Sequence, residues 1–395
     1  MNQVNEILAK IGTAGRNKDG SYTRRCYSPE YFMAVDIVED QMNEMGMETE
    51  RDAAGNIHGI LRGTDPVRKS ILIGSHLDTV PEGGLFDGAY GVAAGLEVVR
   101  RLKEGAHRLC HTIEVYGFNA EESNPVSGTF GSRAIAGLVS PDQPHLGEAL
   151  AEYGHTIPEI MACKRDFSNV KCYLELHIEQ GDYLFNEHLN IGVVSGIVGI
   201  IRYKVTAIGH SNHAGTTMMK NRRDAMVGMA RLIDGADRRC REIDDTLVFT
   251  VGTIECSPGS ANVIPGRVEC TFEMRHMDRS KTDELIRSIE EIAAEIKTVH
   301  FEIEKTIDKG AVYCDKHLMD VIENVVRSTG DSYAVMPSGA GHDANPIAHC
   351  VPIGMIFVPS REGLSHCGEE WTSPEDTARG ADILYHTVLE LDAEN

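Results

Sequence analysis

The chain has 395 residues, 42% of them apolar, enough for a substantial core and for two domains. Sixty acidic against 38 basic residues set a formal charge of −22, which argues against nucleic acid and against anionic membrane as partners. No apolar run is long enough to span a bilayer, the first residues lack the basic-then-apolar pattern of a signal peptide, and the ten cysteines form no C-x-x-C pair, so a reduced, cytoplasmic setting is expected.

In chain order, Ser28 is a candidate N-cap and Pro29 sits at the first helical position. Tyr31, Ala34, Val35, Val38, Met42 and Met45 then recur at helical spacing before Gly46. Residues 52–56 read as a hairpin turn and 57–61 as its return strand. A strand over 70–73, a helix over 91–103, a strand over 112–118 and a strand over 173–178 follow. Such alternation predicts an α/β fold with a mostly parallel, doubly wound sheet. The glycine-rich stretch 192–199 reads as a hinge. Strand 201–208, helix 224–241, strands 247–254 and 267–274, helix 281–297 and strand 300–304 then spell βαββαβ, the ferredoxin-like split order. The expected organisation is a catalytic domain, 1–198 with 310–395, interrupted by an inserted domain, 199–309. Helix 318–327, strand 352–358 and helix 377–391 complete the first sheet.

Four polar groups share one context. His76, Glu121-Glu122, His177 and His366 each lie in or just after an apolar strand-like run, and Asp87 follows the first across a Gly-rich turn. In a parallel sheet the carboxyl ends of strands share one edge, where open α/β sheets carry their ligands. Imidazole plus carboxylate suits zinc, manganese or cobalt, and the count suits two ions. Asp87 could bridge them, with His76 and His177 on one and Glu122 and His366 on the other. Asp78 is placed to accept the second His76 N–H and fix its tautomer. Glu121, beside a ligand but pointing elsewhere, suits general acid/base work.

Each signal has a plainer reading when taken alone. H-x-D can be a surface or capping pair, adjacent glutamates a solvated turn, and His177 a hydrogen-bonded core histidine. Four metal-type groups on one sheet edge are harder to assign to accident. A second set lies in the inserted region: His213 in a Gly-His-Ser-Asn-His-Ala-Gly run, Asn262 in a loop, and Arg275 ending a strand. A guanidinium suits a bidentate carboxylate, though an ordinary ion pair is the commoner use of an arginine. His342-Asp343, between small residues, reads as a motif or as a helix cap.

These segments resemble the M20 family of dinuclear metallohydrolases, in particular its amidase branch of N-carbamoyl-L-amino acid hydrolases, allantoate amidohydrolases and ureidoglycolate hydrolases. The likeness rests on Gly74-Ser-His-Leu-Asp-Thr-Val, Gly83-Gly-Leu-Phe-Asp-Gly, Glu121-Glu122, His177-Ile-Glu-Gln-Gly, His213-Ala-Gly-Thr-Thr, Asn262-Val-Ile-Pro-Gly, Gly339-Ala-Gly-His-Asp-Ala and Ser365-His366. It implies two zinc or manganese ions (cobalt or nickel being alternatives) on His76, Asp87, Glu122, His177 and His366, with Glu121 as catalytic acid/base. It further implies substrate binding by Gln180, Asn262 and Arg275, a smaller domain serving as lid and dimer interface, and His213 acting across a homodimer. The implied reaction is hydrolysis of a linear amide or ureido C–N bond in a small carboxylate substrate. A dipeptidase or N-acyl-amino-acid hydrolase is the alternative, and a binding protein on a dead enzyme fold would require a lost ligand. Where the family has Gly-x-Arg-Phe, proline and Pro-Met, this chain has Ser123-Asn-Pro-Val126, Asp182 and Met218-Met219.

Overall fold

In the computed structural model, which describes residues 3–105, 107–122 and 124–394, Ser28 accepts the Tyr31 N–H at 3.1 Å and starts the helix Pro29–Glu44. Its buried stripe, Tyr31, Ala34, Val35, Val38 and Met42, enters the main core. Strands β1 (Glu48–Arg51) and β2 (Ile57–Leu61) then form an antiparallel pair. Strand β3 (Ser70–His76) is buried along its whole length, as expected of an inner strand covered on both faces. The helix Ala89–Glu104 follows, then β4 (Ile113–Phe118), β5 (Val170–Ile178) and β6 (Ile191–Ile197).

The chain divides into two compact units, Met1–Ile197 with Tyr313–Asn395, and Val198–Val312. The second unit contains β7 (Gly199–Ile208), β8 (Asn212–His213), β9 (Val248–Ser257), β10 (Val263–Ile264), β11 (Arg267–His276) and β12 (His300–Lys309). Its main sheet runs in the order β12-β7-β11-β9, every pairing antiparallel. The helices Ala225–Ile243 and Arg279–Glu295 alternate with these strands as βαββαβ. Leu232, Met229, Phe272, Leu285 and Ile289 belong to the unit's own core. The stretch 192–199, read as a hinge, holds the boundary between the two units, with β6 covering Ile191–Ile197 and β7 opening at Gly199.

The chain returns through β13 (Val312–Tyr313), β14 (Tyr333–Ser338) and β15 (Ile353–Val358). The large sheet of the first unit has the order β1-β2-β4-β3-β5-β15-β6, with β14 also paired to β6. Strands β3, β4, β5 and β15 are mutually parallel, so their carboxyl ends lie on one edge. Antiparallel pairing of β2 with β4 and of β15 with β6 makes the sheet mixed toward both sides. Strand β14 carries few fully buried side chains, and no strand was expected there. Among the described residues, no helix is long and apolar enough to cross a membrane.

Candidate metal centre

Four parallel strands deliver the predicted residues to one edge. His76 is the last residue of β3, His177 lies at the penultimate position of β5, Glu121 and Glu122 follow β4, and His366 lies in the loop after β15. Asp87 occupies the turn before the helix Ala89–Glu104. That turn needs Gly88: its φ is 65°, and a Cβ would stand 2.4 Å from the His76 ring. Three non-glycine residues at the site, Ala120, Gln180 and His366, also have positive φ (58°, 60° and 58°), a conformation that the surroundings must impose.

Asp87 is the hub. Its Oδ1 lies 3.3 Å from His76 Nε2 and 3.2 Å from His177 Nε2, while Oδ2 lies 3.2 Å from His366 Nε2. His366 Nε2 also stands 3.3 Å from Glu122 Oε1. Two triads therefore share Asp87: His76-Asp87-His177 and Asp87-Glu122-His366, each with its ligand-type atoms within 4.8 Å of one another. His76, Asp87, Glu122 and His177 are buried, and His366 is half exposed.

The hydrogen bonds orient the rings. His76 Nδ1 donates to the Asp78 carbonyl at 2.9 Å, and His177 Nδ1 to the Ile178 carbonyl at 2.8 Å. Each Nε2 is thus left with its lone pair toward Asp87, and the Gly88 N–H meets His177 Nε2 at 3.2 Å. Imidazole lone pairs facing a carboxylate repel it unless a proton or a cation lies between them. Burial opposes a proton on His76, but Asp87, Glu121 and Asp78 raise its affinity well above the ordinary value; His177 is raised by the same balance of burial and Asp87. On His366, Asp87 and Glu122 push the pKa up to about 10. Against the cost of burial, the three imidazoles hold Asp87 well below the carboxylate range.

Protons on all three rings would crowd like charges, since the His76 and His177 centroids are 5.9 Å apart. Glu122 Oε1 is buried and, apart from the ion-pair contact of His366 Nε2 at 3.3 Å, has no hydrogen-bond partner among the described residues. The nitrogen–oxygen donor set and this unmatched oxygen fit divalent cations. Those residues could hold two ions sharing Asp87.

Asp78 behaves differently from the expectation. Its carboxylate is 3.7 Å from His76 Nδ1 and instead accepts the N–H groups of Glu121 at 3.0 Å and Glu122 at 3.2 Å. The His76 tautomer is set by the Asp78 main-chain carbonyl, which accepts from Nδ1. Glu121 lies beside the His76-Glu122 pair. Desolvation, reinforced by Glu122, Asp343 and Asp78 and opposed by His76, holds its carboxyl well above the usual range. Gln180 donates from Nε2 to Asp87 Oδ2 at 2.9 Å. Asp343 starts a short helix without capping it through its side chain; its carboxylate accepts from Ser132. His342 packs edge-on against His177, with centroids 4.6 Å apart, and its Nε2 meets Ser338 Oγ at 2.7 Å.

Two buried carboxylates here were not anticipated. Glu175 accepts from Ser75 Oγ at 2.9 Å and the Ala344 N–H at 2.8 Å. Glu370 accepts the N–H groups of Phe86 and Asp87 at 2.8 and 3.1 Å. Glu175 sits two residues before His177 on the same side of β5, a strand-period signal that was available. Glu370 follows His366 in an irregular loop, where no periodicity marks it.

His213, Asn262 and Arg275 belong to the second unit. His213, in β8, accepts the Gly215 N–H at 3.0 Å on Nδ1, and the Asn262 carbonyl accepts from Ala214 at 3.0 Å. Arg275 Nε and Nη2 lie 2.8 and 2.7 Å from Glu273 Oε1. Of the departures from the family pattern, Ser123 lies outside the described residues. Asn124 bonds the Ala120 carbonyl at 3.0 Å, Asp182 accepts from Asn186 at 2.9 Å, and Met218 and Met219 are exposed. All ten cysteines are free thiols.

A mostly parallel α/β sheet with this imidazole–carboxylate cluster at its carboxyl edge has the architecture of a metal-dependent hydrolase. Residues 72–390 match the sequence model of peptidase family M20/M25/M40, and the chain belongs to that family. It is 38% identical over 396 residues, covering 97% of both chains, to an N-carbamoyl-L-amino acid amidohydrolase from Geobacillus stearothermophilus. To an allantoate amidohydrolase from Escherichia coli (strain K12) it is 35% identical over 402 residues, covering 98% of this chain and 97% of the other. A crystal structure of a hydantoinase/carbamoylase family amidase from Burkholderia multivorans superposes with a TM-score of 0.89 at 30% identity, covering 100% of this chain and 98% of that one.

Proposed function

We propose that this chain hydrolyses a linear amide or ureido C–N bond in a small carboxylate substrate, an N-carbamoyl-L-amino acid or allantoate. The observation that carries this is the pair of triads sharing Asp87, with Glu121 beside them. The full-length relatives that act on such compounds support the substrate class.

Two divalent ions, zinc or manganese, would activate water and polarise the carbonyl of the scissile bond. His76, Asp87 and His177 would hold one, and Asp87, Glu122 and His366 the other. Glu121, with its raised proton affinity, takes the proton from the attacking water and passes it to the leaving nitrogen. Arg275 and Asn262 grip the substrate carboxylate, and Gln180, whose amide donates to Asp87 at 2.9 Å, also binds the substrate. In a homodimer, His213 of the partner subunit donates to the carbonyl oxygen as charge develops on it. A carbamoyl group then leaves as carbon dioxide and ammonia and frees the amine. The compartment we assign is the cytoplasm.

The test is turnover of a panel containing allantoate, several N-carbamoyl-L-amino acids, N-acetyl amino acids and dipeptides. Ammonia and free amino acid are assayed separately. Ammonia release from the ureido substrates is the expected result; turnover confined to dipeptides or N-acyl amino acids, with no ammonia, would overturn it.

A further inference from the structure

The buried carboxylate of Glu370 joins the two segments that carry Asp87 and His366. It is 5% exposed. Its Oε1 takes the N–H groups of Phe86 at 2.8 Å and Asp87 at 3.1 Å, so it clamps the backbone on which the Asp87 carboxylate is mounted. Its Oε2 lies 2.9 Å from Ser365 Oγ, and the same hydroxyl lies 3.2 Å from Asp87 Oδ2. The Glu370 N–H donates to the Cys367 carbonyl at 3.2 Å. His366 is therefore gripped on both flanks, through Ser365 by the side chain and through Cys367 by the main chain. That grip matters because His366 has a φ of 58°, a conformation a histidine keeps only when its neighbours impose it. Gly84 leaves the space Glu370 fills: a Cβ there would stand 2.0 Å from Oε1.

We propose that Glu370 is a positioning residue that locks the Asp87 turn to the His366 loop, so that its reach sets the metal affinity of the centre. This rests on the metal-centre reading above. Reach, and not charge, is the property at issue. A glutamine can offer one oxygen to both N–H groups and its amide N–H to Ser365. An aspartate keeps the charge but falls one methylene short of all three partners.

The experiment titrates the metal-stripped full-length chain with Zn²⁺ against a chromophoric chelator, for wild type, Glu370→Gln, Glu370→Asp and Glu370→Ala. Melting of each stripped protein is followed by circular dichroism. Wild type is expected to take up two equivalents. Glu370→Asp and Glu370→Ala should lose on the order of 10–100-fold in affinity, the usual cost of removing a group that orients a ligand. Glu370→Gln should stay close to wild type. If Glu370→Ala does not fold, the contrast between Glu370→Asp and Glu370→Gln still decides. Wild-type affinity in Glu370→Asp, or a fall in Glu370→Gln as deep as in Glu370→Asp, overturns the proposal while leaving the metal centre intact. A loss that tracks a lowered melting temperature of the stripped protein also overturns it, since the role is then only structural. A wild-type chain that takes up no zinc overturns the metal-centre reading itself.

Discussion

Asp78 Oδ1 accepts the main-chain N–H of Glu121 at 3.0 Å, joining the end of β3 to the end of β4. The adjacent Glu122 N–H is taken by Oδ2 of the same carboxylate. Asp78 thus sets the direction of the turn from which both glutamates project. Replacing it by alanine removes both acceptors, and kcat/KM should fall on the order of 100-fold, with metal content reduced. Asp78→Asn keeps one acceptor oxygen and should fall less. Steady-state kinetics with metal analysis of both variants checks this; an Asp78→Ala enzyme with normal kinetics would show that the turn holds without it.

Glu121→Gln keeps the shape of the side chain and removes its proton chemistry. It should lower kcat on the order of 10²–10⁴-fold, with KM and bound metal little changed. A variant that turns over at the wild-type rate would exclude Glu121 as the acid/base.

Chelation should abolish activity, and zinc or manganese should restore it. A proton on His366, favoured up to a pH of about 10 by Asp87 and Glu122, must leave before that nitrogen can bind a metal. Apparent metal affinity should therefore rise with pH through the neutral range, by up to about tenfold per pH unit for each proton displaced. Competition titrations at pH 6, 7 and 8 measure the slope; a flat profile would contradict it.

Away from the centre, Glu114 accepts from Arg165 at 2.9 Å and pairs with His58 at 2.6 Å, nearly buried. Burial raises its proton affinity, but His58 and Arg165 outweigh burial and hold the pKa at about 2, from an ordinary 4.5. A depressed folded-state pKa stabilises the fold above the unfolded value, and this contribution is lost as pH falls from about 4.5 toward 2. The shift corresponds to a stabilisation on the order of 3 kcal/mol at neutral pH. Glu114→Gln should lower stability by a comparable amount at pH 7 and by less at pH 3. Urea unfolding at the two pH values checks it.

Much of this was legible in the residues themselves. Ser28-Pro29 starts a helix by local chemistry alone, and the alternation of apolar runs implies a parallel sheet, whose topology carries His76, Glu122 and His177 to a common edge. These signals are local or periodic, so a linear sequence displays them. The strand 333–338 escaped because it carries few fully buried residues and so lacks a clean apolar pattern. The glycines in 192–199 hide β6 in the linear sequence, because it is the pairing with β14 and β15 that holds Ile191–Ile197 extended.

The linear order by itself determined which side chains could meet a cation: the imidazoles and carboxylates at strand ends, and the glycine next to Asp87. Only the tertiary structure decided how they are held. It assigned the His76 tautomer to a carbonyl and not a carboxylate, turned the Asp78 side chain toward β4, and brought Glu370 back over the Asp87 turn. Such contacts depend on where an oxygen lies to within an ångström across segments up to hundreds of residues apart. Composition and spacing fix the chemistry available, but hydrogen-bond direction is settled only when the chain has folded.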